Sequence, residues 1–323
     1  MKTIDAHIHF YGDHPDCIRP LKEMDLMLLN VCVASTGGDW HDQREGFRRL
    51  AQEHPQRYAW CTSFDPPDFA ASDYAERVIE QLRRDFDSGA VACKFWKNIG
   101  MEIKKPDGTF LMIDDPLFDP IYDYLARSER TALMHIADPL ASWQPPDEQN
   151  PHFNYYSQHS EWHMYLKPDH PSHEQLMNAR DRVLERLPKL RIVGAHLASL
   201  EHDVAEVTNR LERFPNLAVD TSARLLDLAL QHRDNVRAFF LKYQDRILFG
   251  TDIVEMKPLS SATEEKRNEA VEGLVSRIKL ILSFFGSEDE LEFQGRQIRG
   301  LGLPEQVVEK VTCSNAARCY GIA

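Results

Sequence analysis

Two histidines one residue apart, His7 and His9 in Ile4-Asp5-Ala6-His7-Ile8-His9-Phe10, are the side chains of this sequence best suited to chemistry. Alternate residues of a β-strand share a face, so both imidazoles project from one wall as a chelating pair. Neutral imidazole is a common ligand for zinc-like ions, but a catalytic metal needs further protein donors and one position left for water. Taken alone, the pair reads more readily as two polar residues on an exposed or satisfied face. What matters is whether similar residues recur at matching places.

They recur at the ends of later apolar segments. Lys94 stands in Cys93-Lys94-Phe95-Trp96, His135 in Leu133-Met134-His135-Ile136, His196 in Val193-Gly194-Ala195-His196 and Asp252 after Leu248-Phe249-Gly250-Thr251. Each has a plainer explanation: His135 and His196 as hydrogen-bonded core histidines, Asp252 as the cap of a following helix. Together the plainer explanations are strained, because every one of these residues falls at the same end of its segment. His7, His9, His135, His196 and Asp252 are all competent metal ligands as they stand.

The elements that must position them alternate. Apolar segments at 4–10, 31–35, 58–64, 90–96, 131–137, 191–196, 217–221 and 247–252 read as strands, and helical periodicity fills 74–86, 116–128, 174–187, 204–214 and 235–243. Strand and helix in alternation predict a parallel sheet. Eight such units without a composition break predict a closed (β/α)₈ barrel as a single domain over residues 1–323, with a helix at 304–320 packed on it. An open doubly wound sheet is the alternative, but no Gly-x-Gly-x-x-Gly follows the first strand.

Long connections are expected after strands four, five and eight. The first two, 98–115 and 138–173, follow carboxyl ends, where loops wall a pocket. The second holds Trp143, His152, Phe153, Tyr155, Tyr156, His159, Trp162, His163 and Tyr165. Trp143 and Trp162 are read as pocket lining, with a contact between copies in a homo-oligomer as the other reading of this aromatic loop. Trp96 and Lys97 belong to the pocket rim or to packing. Arg224 is placed either to hold a substrate carboxylate with its guanidinium fork or to pair with an acidic neighbour on the surface.

With 42% apolar residues among 323, the chain can build a large core, and its formal charge of −13 opposes nucleic acid and anionic membranes as partners. A small-molecule substrate is the expected partner. The six cysteines have no paired spacing and read as reduced core thiols. No long apolar span or signal-peptide pattern stands before the first strand, so the expected location is cytoplasmic unless a leader has been removed. The acidic stretch 287–292 reads as a solvated loop or helix end. No Gly-x-Ser-x-Gly elbow is present, which disfavours a serine hydrolase.

Asp5-Ala6-His7-Ile8-His9, Gly194-Ala195-His196-Leu197-Ala198-Ser199, Phe249-Gly250-Thr251-Asp252 and Asn315-Ala316-Ala317-Arg318-Cys319-Tyr320-Gly321 together resemble the metal-dependent amidohydrolase superfamily, in its amidohydrolase-2 group of decarboxylases, lactonases and hydratases. The resemblance spans nearly the whole chain. It implies that His7 and His9 bind a metal with help from His135 or Asp252, and that His196 binds a second ion or holds substrate. Asp252 would also take a proton from the activated water, ahead of attack on a carbonyl. Lys94 sets the metal count: carboxylated, it would bridge two ions, whereas as a free cation it would meet a substrate anion or neutralise Asp252. Trp96-Lys97 stands where related proteins often have His-Pro, and one ion is favoured. Zinc suits the nitrogen-rich donors best, with manganese, iron, nickel or cobalt as alternatives.

The leading expectation is a hydrolase whose catalytic residues are Asp252, His196 and Lys94, acting on a small lactone, ester or amide that carries an acid group. The alternatives are non-oxidative decarboxylation of an aromatic or dienoic acid on the same scaffold, and a non-catalytic metal-binding barrel that recruits a partner protein. A nuclease of the superfamily fits less well, because those relatives usually carry Glu where this chain has Lys94.

Overall fold

A computed structural model describes residues 2–35 and 40–322. Its framework is a parallel sheet of nine strands in the order β8-β7-β6-β5-β4-β3-β2-β1-β9. They are β1 Thr3–Phe10, β2 Leu26–Val31, β3 Tyr58–Thr62, β4 Ala90–Phe95, β5 Thr131–Met134, β6 Ile192–Gly194, β7 Leu217–Asp220, β8 Ile247–Leu248 and β9 Val254–Glu255. Helices alternate with the strands from Pro15–Glu23 and Trp40–Glu53 to Arg233–Lys242.

The ring closes because β9 is β8 resumed after a bend. The Ala6 N–H donates to the Phe249 carbonyl at 2.9 Å, the His9 N–H to the Ile253 carbonyl at 2.9 Å and the Tyr11 N–H to the Glu255 carbonyl at 2.8 Å. Strand β1 is thus bonded on both edges, to β2 and to the run from Phe249 to Glu255. The expected (β/α)₈ barrel is present.

Two apolar layers follow from the period of two. Ile4 and Ala6 join Met27, Leu29, Leu133 and Val193 in an inner cluster, whereas Ile8 and Phe10 pack outward in the larger cluster shared with the helices. The register of β1 against β2 slips between Asp5 and Ile8. That irregularity hands the inner face from even to odd positions, so His7 and His9 continue the wall begun by Ile4 and Ala6.

The opposite end of the barrel is plugged. Glu305–Glu309, Lys310–Ser314 and Asn315–Tyr320 form a continuous helix with a wider turn at its middle, and Ala316, Cys319 and Tyr320 enter the inner cluster. The Asn315 amide donates to the carbonyls of Gln244 and Ile247 at 2.7 Å each, and the Phe249 N–H donates to the Val311 carbonyl at 2.9 Å.

Three expectations need correction. The second strand is Leu26–Val31, not 31–35: its register is set by pairing with Thr3–Asp5 and Tyr58–Cys61, and residues 32–35 run beyond that ladder. The eighth strand is only two residues before it bends at the site. The stretch 287–292 is no mere helix end, because Glu290–Phe293 (β10) pairs antiparallel with Arg296–Arg299 (β11). The cysteines are free, and Cys17, Cys32, Cys61, Cys93 and Cys319 are buried. No helix among the described residues is long and apolar enough to cross a membrane.

Tyr320 is 3% exposed at the base of the barrel. Truncation by Tyr320→Ala is expected to cost about 3–5 kcal/mol, as for other large buried rings. Urea unfolding of the variant checks this, and a loss below about 1 kcal/mol would show that the plug contributes little.

Candidate metal centre

His7 and His9 reach the carboxyl end of the barrel with their rings fixed from behind. The His7 Nδ1–H donates to Asp220 Oδ2 at 3.0 Å, and the His9 Nδ1–H donates to the Val31 carbonyl at 2.6 Å. Each ring therefore turns its Nε2 toward Asp252, whose Oδ1 lies 3.8 Å from His7 Nε2 and 3.3 Å from His9 Nε2. His7, His9 and Asp252 each offer one donor atom within 4.8 Å of the others, which is the spacing of ligands around a single ion.

Asp220, at the end of β7, sits at the junction. Its Oδ1 accepts the His196 N–H at 2.9 Å, the Ser222 N–H at 3.1 Å and the Ser222 hydroxyl, while Oδ2 takes His7. Burial works against this carboxylate, but the His7 and His196 imidazoles and the Ser222 hydroxyl outweigh it and hold it below the usual range. His7, His196 and Asp220 also form a metal-competent group. Because the Asp220 oxygens are already engaged by four donors, Asp220 fits the orienting carboxylate behind His7 better than a direct ligand.

His196 and Asp252 sit on strained backbone. His196, Leu197, Ala198 and Ser199 have φ of 57°, 56°, 58° and 58°, a left-handed turn, and Asp252 has φ of 58°. Such a conformation costs roughly 1–2 kcal/mol per non-glycine residue. The turn is held by Asp220 on the His196 N–H, by the Ser199 hydroxyl donating to the Ala137 carbonyl at 2.7 Å, and by Arg180 on the Ala198 carbonyl. Gly194 permits it, since a Cβ there would lie 2.5 Å from the Ala198 Cβ. The His196 Nδ1–H donates to the Ser222 carbonyl at 2.9 Å, leaving Nε2 for the site.

His135 lies beside His196, with ring centroids 4.3 Å apart, and its buried Nε2 has no hydrogen-bond partner. Burial holds the His7, His135 and His196 imidazoles below their ordinary range, which favours the neutral form that metal binding requires. A buried nitrogen without a partner and a neutral, nitrogen-rich donor set fit a zinc-like ion.

Lys94 lies with Nζ 3.0 Å from His7 Nε2, on the nitrogen an ion would use. Burial pushes its ammonium down to about 8 against the pull of Asp252 and Asp220. An ammonium there opposes a dication, so an ion at His7 requires Lys94 to withdraw, lose its proton or become an anion.

Above this floor opens a cavity of about 820 Å³ that His135, His196, Asp252, Arg224 and Lys97 help to line. Arg224 is buried, donates to the Ala223 carbonyl at 3.0 Å and leaves Nε without a partner, so it is not the surface arginine of the alternative reading. Lys97 also lines the cavity, but it is spoken for: Nζ bonds Asp138 and lies 4.0 Å from the centroid of the Trp162 ring. Trp96 packs edge-on against Trp162. Trp143 turns away: its indole N–H donates to the Pro171 carbonyl at 3.1 Å and its ring meets His173. From the aromatic loop it is His152 and Tyr155, rather than Trp143 and Trp162, that line the cavity.

Sequence alone assigns no role to Asp220 or Asp138. Asp220 nonetheless carries the same signature as His135 and His196, a polar side chain closing an apolar strand. Asp5 accepts from the Thr251 hydroxyl at 2.5 Å and from the His7 N–H at 3.2 Å, and burial raises its carboxyl to about 7.

A family model described as amidohydrolase matches residues 4–322. Among solved structures, 2,6-dihydroxybenzoate decarboxylase from Rhizobium is similar over 99% of both chains, with 14% identity and a TM-score of 0.54. 5-Carboxyvanillate decarboxylase from Sphingomonas paucimobilis is similar over 100% of this chain and 99% of that one, with 14% identity and a TM-score of 0.52. 4-Oxalomesaconate hydratase from Rhodopseudomonas palustris is similar over 99% of this chain and 95% of that one, with 13% identity and a TM-score of 0.54. At this identity the likeness shows a common fold. No curated protein matches the chain significantly.

Replacing Asp220 by Asn keeps the shape but removes the charge behind His7. Zinc affinity, read by competition with a chromophoric chelator, is expected to fall about 10–100-fold. Unaltered affinity would remove the orienting role from this carboxylate.

Proposed function

Because the chain belongs to the amidohydrolase family, we propose that it is a metal-dependent hydrolase of a small lactone, ester or amide bearing a carboxylate. The observation that carries this reading is the Asp252 carboxylate, 24% exposed at the cavity floor and 3.3 Å from His9 Nε2, with His7 and His196 beside it. His7, His9 and Asp252 would hold one zinc-like ion, with His135 as a further donor. Such an ion supplies Lewis acidity, lowering the pKa of water and polarising a carbonyl.

The chain's own groups do the rest. Burial opposes charge on Asp252, but His196, His9 and His7 hold it well below the usual carboxylate range, so it stands ionised to accept a proton from water. The water oxygen bonds to the carbonyl carbon, the carbon bond to the leaving oxygen or nitrogen breaks, and the proton on Asp252 passes to that leaving group. His196, with Nε2 left open by its bond to Ser222, faces the reacting carbonyl from the cavity wall. Arg224 binds the substrate carboxylate with its unpartnered guanidinium edge.

Decarboxylation is the second reading, and one observation favours it. His152 Nε2 lies 2.8 Å from Asp227 Oδ1, and His152 lines the cavity. It is an imidazole outside the donor set, and loss of carbon dioxide needs a proton donor for the substrate carbon.

Assay of the zinc-loaded protein against carboxylate-bearing lactones, esters and amides, and against aromatic acids with carbon dioxide release as the signal, separates the two. Asp252→Asn is expected to lower kcat/KM about 10²–10⁴-fold, with the melting midpoint of the chain preserved. Near-normal turnover in that variant would sink the assignment of the base.

A further inference from the structure

The cavity is more basic than the rest of this acidic molecule. Its basic lining residues are Lys97, Arg224, Arg277 and Arg296, and its carboxylates are Asp138 and Asp252. Asp138 is bonded to Lys97, and Asp252 belongs to the proposed donor set. That leaves three guanidiniums around one cavity; among the described residues none forms a close ion pair, although Asp227, Glu201 and Asp252 act on Arg224 from farther off, and no such carboxylate acts on Arg277. In a chain with formal charge −13 and 51 acidic residues, three unpaired arginines converging on one space is a specific arrangement.

Arg277 and Arg296 come from the segment that follows the eighth strand. Arg277 stands on the helix Glu264–Gly286, capped by Thr263, and its guanidinium lies 4.9 Å from the centroid of the Phe293 ring. Phe293 is buried and ends β10; Gln294 and Gly295, with φ of 51° and 73°, make the two-residue turn into Arg296. Positive φ at both turn positions is the tight hairpin geometry that fixes register, so the place of Arg296 relative to Phe293 is set by backbone. The hairpin is tied down behind: the Leu301 and Leu303 N–H groups donate to the Phe284 and Phe285 carbonyls, and Arg233 donates to the carbonyls of Gly300 and Leu301. Burial pushes the Arg277 guanidinium down, with no carboxylate to restore it.

We infer that Arg277 and Arg296 form a second anion subsite and that the substrate is a dicarboxylate, one acid group held by Arg224 and the other by this helix and hairpin. The inference rests on the proposed reading in placing the reacting carbonyl at the Asp252 floor; it concerns recognition, whichever bond is broken there. A guanidinium already stacked on an aromatic ring keeps its donor edge free and loses little freedom on meeting a carboxylate, which suits Arg277 to the task. A monoacid would leave that subsite empty. The segment after the last barrel strand then selects substrate by charge, while the barrel carries the chemistry.

The test is a calorimetric titration of the zinc-loaded full chain with the diacids from succinate to suberate, each against the monoacid of the same carbon number. Binding rather than turnover is read, so failure of the hydrolase reading shows in the substrate assays and failure of this inference shows here. The best-fitting diacid is expected to bind at least tenfold more tightly than its monoacid. Arg296→Glu, at an exposed position without a partner, and Arg277→Gln should each bring that ratio toward one, with zinc content and melting midpoint as in the parent. If no diacid is preferred, or if the preference survives both substitutions, the second subsite is overturned.

Discussion

The centre depends on the Asp220 carboxylate. Four donors from three strand ends meet on its two oxygens: the His7 ring, the His196 backbone, and both the backbone and hydroxyl of Ser222. A buried carboxylate without such partners would be driven to take a proton, and each hydrogen bond to the charged form is worth about 1.5–3 kcal/mol. One group thereby sets the tautomer of His7, secures the start of the left-handed turn at His196, and fixes Ser222, whose carbonyl in turn sets the tautomer of His196. The two imidazoles are oriented together because the same carboxylate stands behind both.

Strain at the site is the counterpart of this bonding. Left-handed backbone at 196–199, at Ala223 and at Asp252 concentrates at the carboxyl ends of β6, β7 and β8, where donors must turn inward rather than follow their strands outward. The break between β8 and β9 has the same origin. The Asp252 N–H donates to the His7 carbonyl at 2.9 Å, so the hydrogen bond that helps to close the barrel also locates Asp252 beside the ring of His7. Ring closure and the placing of the site share this hydrogen bond, and the plug of Ala316, Cys319 and Tyr320 completes the inner core beneath them.

Charge is distributed to match. The surface is acidic overall, but the cavity wall keeps its cations unpaired except for Lys97, which is bonded to Asp138 and set over Trp162. Lys94 is the group in tension: it lies 3.0 Å from His7 Nε2, where the neutral imidazole accepts from it. An ion on His7 Nε2 and the Lys94 ammonium would compete for one nitrogen, so a cationic Lys94 opposes a dication there.

Strand periodicity and polar punctuation were enough to read the barrel and the convergence of His7, His9, His196 and Asp252 on one rim, because a side chain at the carboxyl end of a parallel strand has one place to go. The limits of β2 are not legible in the sequence, since a ladder is bounded by its neighbours and not by where an apolar run is densest. The roles of Asp220 and Asp138 and the turn of Trp143 away from the cavity are not legible in the sequence, for each depends on partners distant along the chain: His7 lies 213 positions from Asp220. Local pattern determined which elements form and which ends carry donors. Only the closed tertiary structure decided which nitrogen faces the site and which cations are left unpaired, because hydrogen bonds and ion pairs belong to groups that the chain brings together from its two ends.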